Sequence, residues 1–116
     1  MALPKMPKSV TLGHRDFGIK KVDALIDDND NSLAGQYNGK EEMIYINNNL
    51  PSAQVDADTL LHELLHGVWY IQNLDDKKEE EELVTCIAFG LSSIFKHSPD
   101  ILKYFSVAYK HKKGKK

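Results

Sequence analysis

The chain has 116 residues, 41% of them apolar, which suffices for one modest core and leaves no room for a second domain. Its single cysteine, Cys86, excludes an internal disulfide framework and a four-cysteine zinc site, so any metal must be held by His, Asp or Glu. The net charge of -2 hides an asymmetry: the last seven residues, "KHKKGKK", carry five lysines, and without them the rest stands at -7. No window approaches the roughly 18 apolar residues of a membrane span, and "MALPKMPKSV" lacks the apolar stretch of a signal peptide. These features predict a cytoplasmic protein with a flexible start (residues 1–9), a single domain (10–109) and a lysine-rich flexible tail (110–116). Such a tail can touch nucleic acid through phosphates, although a solvated terminus is the plainer expectation.

In chain order, Val10 and Leu12 alternate with polar neighbours, "GHRD" supplies a turn, and Phe17 and Ile19 resume the alternation, which predicts a hairpin. "DDNDNS" (27–32) recurs in oxygen ligands but fails as a calcium loop. Counted from Asp28, the glycine position holds Leu33 and the bidentate-glutamate position holds Gly39. "LAGQYNGKEEMIYINN" predicts a second hairpin, with Asn38-Gly39 as a tight turn and Met43 to Ile46 as its β-prone strand. The first half is therefore expected to form a small antiparallel sheet.

After Pro51 the apolar period changes. Ser52 is a plausible N-cap, and Val55, Leu60, Leu61, Leu64, Leu65, Val68 and Ile71 recur at helical spacing, predicting a helix over about 53–73. "ELVTCIAFGLSSIF" predicts a second helix, and "SPDILKYFSVAY" a third, capped by Ser98 with Pro99 in its first position. The expected fold class is thus α+β: an N-terminal antiparallel sheet packed on the first helix, with two further helices.

"TLLHELLHGVWY" (59–70) places His62 and His66 one helical turn apart, so that both imidazoles can reach one point. Glu63 lies beside that point, where a general base for a metal-activated water would stand. Three ionisable groups within an apolar helix would cost several kcal/mol if buried without partners, and a divalent cation would satisfy them. A satisfied pair of core histidines is the competing reading. Catalytic zinc takes three protein ligands. The continuation His-x-x-Gly-x-x-His is excluded, because Trp69 and Gln72 occupy its glycine and histidine positions. A glutamate from the next helix is the other common solution, and "EEEELV" offers four in a row. Counting back along a face through Val84 and Ala88 reaches Glu81, with Glu80 and Glu82 flanking that line.

The motif "HELLH", the glutamates beginning a second helix and the preceding hairpin "GQYNGKEEMIYI" together resemble compact gluzincin-type zinc metallopeptidases, the SprT-like and ImmA/IrrE-like groups among them. That resemblance implies a minimal zincin-like fold and one Zn²⁺ held by His62, His66 and Glu81. It also implies hydrolysis of peptide bonds in a protein or peptide substrate, with Glu63 as general base. An edge strand around Ala34, Gly35, Gln36 and Tyr37 would dock the substrate as an added strand. Tyr37, Tyr70, His97 and Tyr104 have the chemistry to steady an oxyanion. His14 and His97 are expected to be exposed, and Cys86 to be a packed thiol. The alternative function is a non-catalytic, zinc-stabilised protein-binding module of phage or bacterial origin.

Overall fold

Period-two patterning places Val10, Leu12, Phe17, Ile19, Ile44 and Ile46 on one face of a sheet, and all six are buried. The computed structural model describes residues 4–74 and 78–110. Within them the order of elements is β1 (Ser9–Leu12), β2 (Arg15–Val22), β3 (Gly35–Asn38), β4 (Met43–Asn47), α1 (Ala53–Ile71), α2 (Glu80–His97) and α3 (Pro99–Lys110). The described residues form an α+β fold, a four-stranded sheet with three helices. No helix among the described residues is long and apolar enough to cross a membrane.

Both predicted hairpins form, but the sheet is mixed rather than antiparallel. Its order is β1-β2-β4-β3, and β2 pairs with β4 in parallel, Gly18 opposite Met43 and Val22 opposite Asn47. The reason lies in strand composition. "MIYIN" is β-branched and aromatic and suits an interior position, whereas "GQYN" suits an edge, so the second hairpin docks through β4 and leaves β3 outermost. The second turn also differs from expectation. Asn38 and Gly39 do not take positive φ; the connection spans residues 39–42, Glu42 adopts φ 58°, and the Asn38 side chain accepts the Glu41 N–H.

Ala57, Leu60, Leu64 and Val68 of α1 lie on the sheet's apolar face, joined by Ile94 of α2 and by Ile101, Phe105 and Ala108 of α3. Each large apolar side chain so buried contributes about 1.5–3 kcal/mol relative to its exposed state. The Ser52 hydroxyl accepts the Val55 N–H at 3.2 Å and starts α1 as expected. Ser98 behaves differently: its hydroxyl accepts the Thr11 N–H at 2.9 Å, fastening the α2–α3 corner to β1 instead of capping α3. The loop at 27–32 is held by the Asp27 carboxylate, which accepts the N–H groups of Asn29 and Asn31.

Residues 4–9, expected to be free, lie along the fold. Met6 packs on the core and the Lys8 carbonyl accepts the Ile19 N–H, extending the β1 pairing. The expected tail reduces to Lys110 at the end of α3, and its remaining residues, 111–116, lie outside the described residues.

Candidate metal and hydrolytic site

One turn of α1 brings the Nε2 atoms of His62 and His66 to 3.2 Å, with the rings edge to face and their centroids 4.9 Å apart. Both side chains are exposed. Two nitrogens each about 2.0–2.1 Å from a tetrahedral zinc stand roughly 3.3 Å apart, so this pair already spans one edge of such a coordination shell. The donor pair fits a divalent cation.

Glu63 points toward the sheet. It is only 6% exposed, and its carboxylate lies near the backbone N–H of Tyr37 on β3. Burial raises its pKa above the ordinary carboxylate value, while the two histidines and the Tyr37 amide pull in the opposite direction. The close approach of α1 to β3 depends on glycine. A Cβ at Gly35 would stand 2.8 Å from Thr59 Cγ2 and 3.0 Å from Glu63 Oε2. A Cβ at Gly67, directly after the motif, would stand 2.7 Å from Leu12 and 3.3 Å from the Tyr37 ring.

β3 is an edge strand, and its register fixes which backbone groups are free. Asn47 N–H donates to the Ala34 carbonyl at 2.8 Å and Gln36 lies opposite Tyr45, so positions 34 and 36 turn their backbone groups to β4. Gly35 and Tyr37 turn theirs outward. The outward amide of Tyr37 is the one near Glu63. Of the residues expected to dock a peptide, Gly35 and Tyr37 therefore carry the outward edge, while Ala34 and Gln36 contribute to the sheet's own ladder.

Tyr37 also anchors an aromatic stack, with its ring 5.4 Å from Phe17 and 5.5 Å from Tyr70. Tyr70 continues the stripe of His62 and His66 by one further turn and is 67% exposed. The spacing 62, 66, 70 was visible in the sequence; the stack on Tyr37 was not. Among the other proposed donors, Tyr104 is buried in the helical layer with its pKa pushed up by that burial, and His97 is exposed at the end of α2.

Glu81 is not brought to the histidines, and among the described residues no third His, Cys, Asp or Glu joins them in a metal-holding group. The physical reason is helix phase. Val84 is 54% exposed and Ala88 is exposed, whereas α2 turns Leu83, Ile87, Gly90 and Ile94 inward. Counting back along this face from Leu83 by three and Ile87 by seven leads to Glu80, and places Glu81 on the outer side. Glu79 to Glu82 are all exposed. Cys86 is a free, half-buried thiol, and His14 is exposed. Comparisons with protein-family models, curated proteins and solved structures returned no match.

Proposed function

We propose that the chain is a zinc-dependent metallopeptidase whose site is built on α1 and the edge of β3. The observation that carries this reading is the convergence of His62 and His66 nitrogens at 3.2 Å, with Glu63 one residue away beneath an open sheet edge. His62 and His66 would hold the ion, with the third donor drawn from the glutamates that begin α2, none of which joins the pair among the described residues. When bound, zinc supplies Lewis-acid polarisation of the scissile carbonyl and lowers the pKa of water. The protein's own part begins with docking, in which an extended substrate lies along β3 and pairs with the outward groups of Gly35 and Tyr37. Glu63 then takes a proton from the attacking water with one carboxylate oxygen and passes it to the leaving amine.

A second reading draws on a separate observation: Glu63 is buried and packed against β3 at Gly35, as a purely structural carboxylate would be. In that reading the metal only fastens the fold of a protein-binding module. A fluorogenic peptide library separates the two. Cleavage by the zinc-loaded chain, lost in Glu63→Gln while zinc stays bound, supports the peptidase. Zinc binding without cleavage of any library member supports the module.

A further inference from the structure

At the sheet edge opposite β3, the segment Pro4–Lys8 runs beside β2 and encloses a cleft of about 610 Å³. Lys5, Lys8, Lys20 and Lys21 line it, with no carboxylate residue among its walls. Lys21 is held by Asp56 at 3.0 Å, whereas Lys5, Lys8 and Lys20 make no ion pair among the described residues. Met6, Ile19 and Met43 contribute apolar atoms to its lining. A second cleft, of about 310 Å³, opens on the other side of the same segment and adds Lys103 beside Asp100. This concentration of positive charge sits on a chain whose net charge is -2.

We infer that this cleft is a docking site for an acidic protein segment that alternates carboxylates with apolar side chains. Two features favour a peptide over a nucleic acid. The cation set is all lysine, without the arginine forks that grip phosphates in pairs, and the 610 Å³ cleft has no aromatic residue on which a base could stack. The methionine lining suits aliphatic side chains, since thioethers adapt to irregular apolar shapes. The lysine rim steers and registers the carboxylates, an effect that salt weakens. The site stands at the far edge of the sheet from His62, His66 and Glu63 and does not depend on their chemistry.

The test is fluorescence anisotropy of a labelled peptide alternating Glu and Leu, titrated with the full chain at low salt. Saturable binding is expected, weakened by at least about tenfold in Lys5→Glu/Lys20→Glu and in the milder Lys5→Gln/Lys20→Gln, with both variants retaining the parent's thermal unfolding. An all-Glu peptide of equal length should bind about tenfold more weakly, because it cannot use the apolar lining. Three results would each overturn the inference: no saturable binding, affinity unchanged in both variants, or a single-stranded oligonucleotide of equal charge binding more tightly than the peptide.

Discussion

Gly35 and Glu63 are in such close register that the helix carboxylate fills the space where a side chain on the strand would begin, 3.0 Å from the ideal Cβ position. Gly35→Ala must move either Thr59 or Glu63. The expected cost is roughly 1–3 kcal/mol, as for other overpacked sites. Urea unfolding measures it, and a variant as stable as the parent would show that β3 can retreat from α1 at little cost.

Glu63 itself sets a pH dependence. Its folded pKa lies above the ordinary value because burial disfavours the charged form. A carboxyl so shifted adds stability below its unfolded pKa and loses that contribution as pH rises through the folded value. Glu63→Gln, permanently neutral and nearly isosteric, should therefore melt higher than the parent at pH 7 in the presence of chelator. The difference should shrink toward pH 4. Thermal scans at the two pH values check this; a lower melting point at pH 7 would contradict it.

Gln36 distinguishes the two faces of β3. Because its backbone is turned to β4 opposite Tyr45, Gln36→Pro should break the sheet's own ladder and lose at least the roughly 1 kcal/mol of one hydrogen bond. Unchanged thermal stability in that variant would mean that its amide faces solvent.

How far the sequence foretold the molecule can be judged at particular residues. Ser52 and the spacing of Leu60, Leu64 and Val68 carried α1 plainly, because a cap and a 3.6-residue period are local signals. Each hairpin was equally local. The parallel pairing of Gly18 with Met43 was not, since it depends on which strand of one hairpin the other prefers to meet. The inner face of α2 was harder to read, because Val84 and Ala88 are apolar yet exposed, so hydrophobicity alone did not separate them from Leu83, Ile87 and Ile94. The approach of Glu63 to Gly35 could not be anticipated, because it joins a side chain of α1 to a strand distant in sequence.

At the other end of α1, Tyr109 donates to Asp58 at 2.8 Å, and burial with that carboxylate pushes its pKa up to about 12. A phenol so raised adds stability that is complete below its unfolded pKa, near 10, and is lost as pH climbs through about 12. The parent should therefore lose stability more steeply than Tyr109→Phe between those values. Denaturant midpoints across that range decide it, and parallel curves would show that the hydroxyl contributes nothing.

The measurement that tests the account most directly is zinc content by mass spectrometry on the full chain, compared among parent, His66→Ala, Glu80→Gln and Glu81→Gln. About one zinc per chain is expected, lost in His66→Ala and weakened on the order of 10-fold or more in one of the two glutamate variants. A parent chain that takes up no zinc even when it is supplied would contradict the account and leave His62 and His66 as ordinary surface histidines.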